Sequence, residues 1–375
     1  MTASVGVGDL LAQLVAMPTH QLAPDGTRGD ERALCDHLAP LLRARGADEV
    51  VVVDAARSDG SPGAYVFARW GTPHRVINAH VDTVPPNTGW SRSPWEVHRP
   101  SAHLYGLGSC DTKAAIAATL VALEGAPPRD RGVLFSGDEE AGSAVMQAFL
   151  ASPHARGIRE IIVCEPTGRG AGIAHRGVLA QAAPLAGTGG HSSKADHLPR
   201  PIAQLARFAA ALDDLGRARL HDGPSGMTGL CLNIAGLGGG VAFNVIPARG
   251  ELSWSLRPYP SGPTADGSRV AGFDTAAWNR DIAALAAAID PGIAITTLVD
   301  HPPFACDALA ELVRPFVDRT GGLDFWTEAA LIAEHGIAAI VIGPGDIAHA
   351  HSPDERVPLA DLDWAVALFR ALLAS

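Results

Sequence analysis

Residues 76–86 read VINAHVDTVPP. The stretch begins as an apolar strand, continues into a histidine and an aspartate two residues apart, and stops at paired prolines. Buried strands of open α/β sheets end in this way where their carboxyl ends face a ligand site. His80 and Asp82 are therefore the first candidate site residues.

Similar apolar runs alternate with helical patterns through the first half of the chain. We predict strands at 49–54, 64–70, 75–82, 132–140 and 160–166, and helices at 30–46, 112–125 and 143–152. Most of these strands are nearly continuous apolar segments, as expected for strands covered on both faces. The order predicts an α/β fold with a mixed, mostly parallel sheet sandwiched by helices.

A different pattern begins near Gly177. We predict a strand at 181–189, a helix at 200–215, strands at 229–237 and 243–258, a helix at 274–289 and a strand at 293–300. This β-α-β-β-α-β order is that of a ferredoxin-like unit. Leu252, Trp254 and Leu256 alternate with polar residues, which indicates a strand with one covered face.

The α/β pattern resumes after residue 300. We predict helices at 308–320, 327–336 and 359–375 and a strand at 338–344, and we interpret 257–272 as a surface loop. We therefore predict one domain made of residues 1–177 and 301–375, which the metal-ligand residues described below would make the catalytic metal-binding domain. Residues 178–300 form an inserted domain.

The composition limits the class of protein. A chain of 375 residues with 47% hydrophobic and 18% charged residues is typical of a globular protein of roughly two domains. The net charge of −11 argues against nucleic acid or an anionic membrane as a partner. We find no pattern of a signal peptide or membrane span. Five scattered cysteines without a C-x-x-C pair favour a reducing compartment, and we expect the cytoplasm.

Several metal-ligand residues lie at or just beyond the carboxyl ends of apolar runs. They are His80, Glu139, Glu165 and His351. A fifth residue of this type, Asp111, lies just before an alanine-rich helix. Two imidazoles and three carboxylates without a thiolate suit zinc, cobalt or manganese in a catalytic role. One carboxylate can bridge two such ions, and two close ions can activate a shared water molecule.

Two neighbouring pairs add to this hypothesis. In Glu139-Glu140, one carboxylate can bind metal while the other handles protons, since amide hydrolysis at neutral pH needs a general base. Asp82 lies two residues after His80, on the same side of the strand, and can orient its imidazole. Asp82 can equally be a cap or turn residue before the prolines.

Seven motifs, taken in order, resemble those of the M20 family of dinuclear metallopeptidases and deacylases. They are NAHVDTVPP, GLGSCDTKAAIA, FSGDEEAGS, VCEPT, GTGGHSS, FNVIPA and HAHSPDE, and they span roughly residues 75–360. DFWTEAALI and IGPGDIAHAHSPDERV resemble the acetylornithine deacetylase branch. The AHRG and LNIAGLGGG stretches look most similar to N-acetylcitrulline deacetylases, which act in a variant arginine pathway.

The resemblance implies a role for each matching residue of the metal centre. The implied ligands are His80 and Glu165 for one ion, Glu140 and His351 for the other, and Asp111 as the bridge. Glu139 would be the general base and Asp82 would orient His80. Aligning SPDE favours His351 as the ligand, although His349 lies only two residues away and remains an alternative.

The resemblance also implies roles for residues of the inserted domain, which would act as a lid and dimerisation domain of a homodimer. His191 would reach into the partner subunit's site and stabilise the oxyanion, as a preorganised donor does. Asn244 and Arg257 would bind the substrate carboxylate. Alternatively, they are a structural turn residue and a surface charge. Glu328, in the catalytic domain, would contact the side-chain end of the substrate.

These roles predict a two-metal amidohydrolase with zinc or cobalt as cofactor. Its substrate would be a small N-acyl amino acid, N-acetyl-L-citrulline or N-acetyl-L-ornithine. A succinyl-diaminopimelate desuccinylase or a dipeptidase would share this chemistry. A non-catalytic paralogue that has kept the fold and lost turnover is the alternative from another class.

Overall fold

The structure is a computed structural model, and it describes residues 6–125 and 127–375. The chain folds into two compact units. The first comprises Met1–Ile173, Cys306–Gly321 and Thr327–Ser375, and the second comprises Ala174–Ala305 and Gly322–Trp326. Each unit has a hydrophobic core of its own. None of the helices in the described ranges is long and apolar enough to cross a membrane.

The first unit is an α/β structure. The elements that begin in it are α1 (Val7–Val15), α2 (Glu31–Arg43), β1 (Glu49–Ala56), β2 (Pro62–Trp70), β3 (Arg75–His80), β4 (His103–Tyr105), α3 (Lys113–Ala122), β5 (Arg131–Ser136), α4 (Ala144–Ala151), β6 (Glu160–Val163), β7 (Ala171–His175), α7 (Ala310–Val313), β17 (Thr320–Leu323), α8 (Ala329–Glu334), β18 (Ala338–Val341), β19 (Arg356–Pro358) and α9 (Leu359–Ala374).

The main sheet of this unit has the strand order β1-β2-β5-β3-β6-β18-β7. Its central pairs, β5–β3, β3–β6 and β6–β18, are parallel. The flanking pairs β1–β2, β2–β5 and β18–β7 are antiparallel. The mixed α/β fold is thus confirmed, but the expected predominance of parallel pairs holds only at the centre. Residues 57–61, which join β1 to β2, are too few for the crossover that parallel strands need.

Burial explains why the central strands are continuously apolar. Every residue of β3 and β5 is buried, so both faces of the sheet are covered. The covering helices follow ordinary helix signals. In α2, the side chain of Asp30 accepts a hydrogen bond from the amide of Ala33 as an N-cap, and Leu34, Leu38 and Leu42 form the buried stripe.

The second unit contains the predicted β-α-β-β-α-β order. Its elements are β8 (Val178–Ala186), β9 (Gly190–His191), α5 (Pro201–Ala218), β10 (Asn233–Gly239), β11 (Val245–Ile246), β12 (Arg249–Leu256), β13 (Gly262–Pro263), β14 (Arg269–Val270), α6 (Thr275–Ile289), β15 (Thr296–His301) and β16 (Phe304–Ala305). The antiparallel sheet runs β10-β12-β8-β15, which is ferredoxin-like connectivity. Leu252, Trp254 and Leu256 are buried against α5 and α6, as their alternation predicts.

Three predicted elements need correction. The helix expected at 308–320 is short, because α7 is followed by a 3-10 turn at Arg314–Phe316 that contains Pro315, which lacks an amide hydrogen for helix propagation. The strand expected at 243–258 is interrupted at Pro247 and forms the separate strands β11 and β12. The loop expected at 257–272 includes the small hairpin β13–β14.

Candidate active site

The predicted site residues of the first unit gather at one edge of its sheet. His80 is the last residue of β3, Glu139 and Glu140 follow β5, and Glu165 follows β6 by two residues. β3 lies between β5 and β6 and is parallel to both. Because the carboxyl ends of parallel strands meet at the same edge, the fold itself brings these side chains together.

Asp111 lies at the centre of the cluster, just before α3. Its Oδ1 atom is 3.0 Å from His80 Nε2, and its Oδ2 atom is 3.3 Å from His351 Nε2. The peptide bond that follows Asp111 is cis. These two distances show that the two oxygens of one carboxylate face two different imidazoles, as expected of a bridging ligand.

A second carboxylate accompanies each imidazole. Glu165 Oε2 is 3.9 Å from His80 Nε2, and Glu140 Oε1 is 2.9 Å from His351 Nε2. Donor atoms of His80, Asp111 and Glu140 all lie within 4.8 Å of one another. The five residues expected to bind metal are thus close in space, and it is His351, not His349, that makes these contacts.

The electrostatics of the cluster suit cations. Burial is the largest cause that raises the pKa of Glu140 and, to well above its usual range, that of Glu165. Hydrogen bonds to Asp111 and Glu140 raise the pKa of His351 to about 11. Among the described residues, no lysine or arginine nitrogen is ion-paired with the carboxylates of Asp111, Glu140 or Glu165. Divalent ions would neutralise the negative charge of these carboxylates.

Glu139, the expected general base, lies beside the cluster. Its amide donates a hydrogen bond of 3.2 Å to Asp82 Oδ1. Burial raises the pKa of its carboxyl well above the usual range, His80 opposes the increase, and Glu140 adds to it. A carboxyl group with a raised pKa can both accept and return a proton near neutral pH.

Asp82 contacts His80, but mainly through its main chain. The carbonyl oxygen of Asp82 is 2.9 Å from His80 Nδ1, whereas its Oδ1 is 3.5 Å away. The shorter bonds of the carboxylate come from Gln21 Nε2 at 2.7 Å and the amides of Glu139 and Glu140 at 3.2 and 3.0 Å. β3 ends at His80, so the alternation that we expected to aim the Asp82 side chain no longer applies at residue 82. Asp82 connects His80 to the segment that carries Glu139 and Glu140.

Glu328 is the last predicted residue of this unit. It is 1% exposed, and its Oε2 accepts a hydrogen bond of 3.3 Å from Ser136 Oγ. Burial raises the pKa of its carboxyl to about 8. In this structure it is an internal acid close to the base, and its contact with the substrate stays a prediction.

The second unit brings two of its three predicted residues together. His191 in β9 pairs with Val245 in β11, and the carbonyl of the preceding residue, Asn244, accepts the Ser192 amide at 3.1 Å. His191 Nδ1 accepts the amide hydrogen of Ser193 at 3.2 Å, an assignment that leaves the ring proton on Nε2. Arg257, directly after β12, is exposed, as are His191 and Asn244.

The sequence analysis missed several buried polar residues that support the site. They are Gln21, Glu31, Lys113 and Glu355, each at most 8% exposed. Lys113 Nζ donates to the carbonyls of Leu14 and Met17 at 3.1 and 2.8 Å. Two of these residues could have been found from the sequence. Lys113 lies in an alanine-rich helix and Glu355 lies in the motif HAHSPDE, and charged side chains at such positions are buried only when they have partners.

Comparisons with known proteins give the family of the chain. Residues 76–375 match the family described as peptidase family M20/M25/M40. The chain is 37% identical to an N-acetyl-L-citrulline deacetylase of Xanthomonas campestris pv. campestris over 84% of each chain. It is 29% identical to an acetylornithine deacetylase of Myxococcus xanthus over 94% of this chain and 92% of the relative.

A solved structure supports the same fold. An M20 family metallo-carboxypeptidase from Sulfolobus solfataricus, Sso-CP2, superposes with a TM-score of 0.73 at 15% identity, over 99% of each chain. At this identity the likeness concerns the fold alone. The resemblance seen in the seven motifs is confirmed by the family match and the 37% identical relative, and the chain belongs to peptidase family M20/M25/M40.

Proposed function

We propose that the protein is a metal-dependent deacetylase that hydrolyses the acetyl amide of N-acetyl-L-citrulline or N-acetyl-L-ornithine to acetate and the free amino acid. The proposal depends on one observation, the position of the Asp111 carboxylate. One of its oxygens lies next to the imidazole of His80, and the other lies next to the imidazole of His351. Two relatives that bear deacetylase names, one of them 37% identical, support the substrate class.

The residues fit a pair of divalent ions, with zinc as the first candidate and cobalt as the second. His80 and Glu165 would hold one ion, Glu140 and His351 the other, and Asp111 would bridge them. The donor set fits because it contains only imidazole nitrogens and carboxylate oxygens. When bound, such ions polarise the amide carbonyl and lower the pKa of a water molecule.

Glu139 would perform the proton transfers. Its carboxylate takes a proton from the attacking water as the new carbon–oxygen bond forms. It then donates this proton to the amide nitrogen as the carbon–nitrogen bond breaks, so that acetate and the free amine leave. Burial favours the protonated form of Glu139 between these two steps, because it disfavours the charged carboxylate.

The second unit would serve as the lid and dimerisation domain of a homodimer. His191 would donate from Nε2 to the oxyanion, which agrees with Ser193 donating to Nδ1. Asn244 and Arg257 would bind the substrate carboxylate, and Glu328 would contact the far end of the substrate. The exposure of His191, Asn244 and Arg257 supports roles in binding rather than in the core.

The setting would be arginine biosynthesis in the cytoplasm. All five cysteines are free, which supports a reducing compartment. The negative net charge supports small molecules rather than nucleic acid or anionic membranes as partners.

A substrate panel tests the proposal. The zinc-loaded protein is assayed with N-acetylcitrulline, N-acetylornithine, N-succinyl-diaminopimelate and a dipeptide. We expect one of the acetyl substrates to exceed the succinyl substrate and the dipeptide by about 100-fold in kcat/KM, because acyl pockets reject groups that do not fit. Comparable rates on acetyl and succinyl substrates would remove the deacetylase assignment. A chain that binds no divalent ion and has no activity would instead be the non-catalytic paralogue.

A further inference from the structure

Glu355 is a buried carboxylate with an unusual set of partners. It is 1% exposed, and it lies four residues after His351. Its Oε1 accepts the amides of Cys110 and Asp111 at 2.7 and 3.0 Å, and its Oε2 accepts the amide of Gly108 at 2.9 Å. Three main-chain amides of one short loop thus converge on a single side chain.

The main chain of Glu355 binds the same loop. Its carbonyl oxygen accepts the Gly106 amide at 3.0 Å and the Ser109 hydroxyl at 3.3 Å. The residues that follow continue the contact, because Arg356 and Val357 in β19 pair with Tyr105 and Leu104 in β4. The segment 351–357 and the loop 106–111 therefore form one hydrogen-bonded structure.

The loop presents several hydrogen-bond donors to this carboxyl group. Gly108 has a φ of +76°, in the left-handed region, and the amides of Gly108, Cys110 and Asp111 converge on Glu355, as amides do in a main-chain concavity that binds carboxylates. Among the described residues, no lysine or arginine nitrogen is ion-paired with Glu355, so main-chain amides are its hydrogen-bonding partners. A glutamine offers only one acceptor oxygen and would turn an N–H group toward at least one of these amides.

We propose that Glu355 is a positioning residue of the metal centre, because its carboxylate fixes the loop that presents Asp111 and ties this loop to the segment that presents His351. Asp111 donates its amide to Glu355 and directs its two oxygens to His80 and His351. A shift of the loop moves the bridge relative to both halves of the centre. The inference rests on the proposed function, since it assigns Asp111 as the bridging ligand.

The test compares Glu355→Gln with Asp361→Asn. Asp361 is the control because it is also a buried carboxylate, 8% exposed, and accepts hydrogen bonds from the amide of Gly345 and from Arg169 Nε, both outside the loop that carries Asp111. The full-length protein is stripped of metal, and the affinity for Zn²⁺ is measured by competition with a chelator. Visible absorption of the Co²⁺-loaded protein reports the geometry of the centre, and thermal unfolding of the metal-free protein reports the fold.

We expect Glu355→Gln to weaken Zn²⁺ binding by about 10- to 100-fold, as loss of groups that orient metal ligands does, and to alter the Co²⁺ spectrum. In the substrate assay, kcat should fall while KM stays near the wild-type value. Glu355→Asp should retain part of the affinity, because it keeps both acceptor oxygens. Asp361→Asn should keep the affinity and the spectrum of the wild type.

Wild-type affinity and spectrum in a folded Glu355→Gln protein would overturn the inference, as would an equal loss in Asp361→Asn. If Glu355→Gln does not fold, Glu355→Asp decides, and unchanged affinity in that variant overturns the inference. A wild-type protein that binds two ions but deacetylates no N-acyl amino acid refutes the proposed substrate and leaves the Glu355 result standing, because zinc affinity is measured without substrate. A wild-type protein that binds no ion overturns both.

Discussion

The predicted site residues lie in two regions that are held in different ways. In the first unit, the cluster of expected metal ligands is mostly buried, and the carboxylates of Asp82 and Glu355 accept hydrogen bonds from main-chain amides of the segments that carry these residues. In the second unit, His191 is exposed in β9 and Asn244 is exposed directly before β11, and each of these paired strands has two residues.

This difference separates two tasks of the molecule. Buried polar networks whose members are all hydrogen-bonded rigidify a site, so the metal-ligand geometry is built into the fold of the first unit. Exposed residues on short strands have few neighbours to restrain them, and they are typical of groups that become ordered on binding. Variants in the two regions should therefore fail in different assays.

The largest effect is expected for Glu139→Gln. This variant keeps the shape of the side chain but cannot take up a proton, and we expect kcat to fall by about 1,000-fold because general acid–base catalysis contributes on this scale. Metal content should not change, since Glu139 is not an expected ligand. Steady-state kinetics and metal analysis of the same preparation give both numbers.

Glu311→Gln is the control for this variant, because Glu311 is an exposed glutamate that pairs with Arg314 on the surface. It should behave as the wild type. Normal turnover by Glu139→Gln would show that another group is the base, and loss of metal would make Glu139 a ligand.

The corresponding variant of the second region is His191→Ala. Removing a donor to an oxyanion lowers kcat by about 100- to 1,000-fold. Because His191 lies on an exposed strand of the second unit, metal affinity and thermal stability should stay at the wild-type level. His221→Ala, a change of another exposed histidine of this unit, should have no effect on kcat. A His191→Ala protein that loses metal would contradict the division between the two regions.

The sequence predicts that the site residues of the first unit lie close together, for a simple physical reason. His80, Glu139, Glu140 and Glu165 directly follow buried apolar runs, and parallel strands bring their carboxyl ends to one edge. The pattern of Leu252, Trp254 and Leu256 likewise predicts the covered face of β12, because side chains alternate along a strand. Both features depend on residues that are close to one another in the sequence, so they can be read from it.

Other features depend on distant partners and were not predictable. Glu355 and Asp111 are joined by a hydrogen bond but are 244 residues apart in the sequence, and no local pattern connects them. The carboxylate of Asp82 binds Gln21 and the amides of Glu139 and Glu140, whereas local alternation predicted only its contact with His80. The helix expected at 308–320 failed because Pro315 outweighs the apolar spacing.

Asp82→Asn should produce an intermediate effect that is confined to the first region. Asn retains one acceptor oxygen and gains a donor, so some of the bonds from Gln21, Glu139 and Glu140 must be lost. We expect Zn²⁺ affinity to fall by about 10- to 100-fold, because both the orientation of His80 and the segment of Glu140 are affected. Asp361→Asn again serves as the buried control. Unchanged affinity would mean that the main-chain carbonyl of Asp82 alone orients His80.

The last expected effect is a pH dependence of metal binding, which only the first region should show. In the metal-free protein, hydrogen bonds to Asp111 and Glu140 raise the pKa of His351 to about 11, and those to Asp111 and Asp82 raise the pKa of His80 against the effect of burial. We therefore expect both imidazoles to be positively charged near neutral pH in the metal-free protein, whereas an imidazole that binds metal must be neutral, with a free nitrogen lone pair. Binding must release protons, so Zn²⁺ affinity should increase with pH, by about tenfold per pH unit for each proton released.

Calorimetry in two buffers of different ionisation enthalpy counts these protons, and it also separates the two neighbouring histidines. His349→Ala should release as many protons as the wild type, because the 349 ring lies outside the cluster contacts made by His351. His351→Ala should release at least one proton fewer and bind one ion more weakly. If His349→Ala changes the proton count and His351→Ala does not, the ligand is His349 and the assignment of the second half of the centre must be reversed.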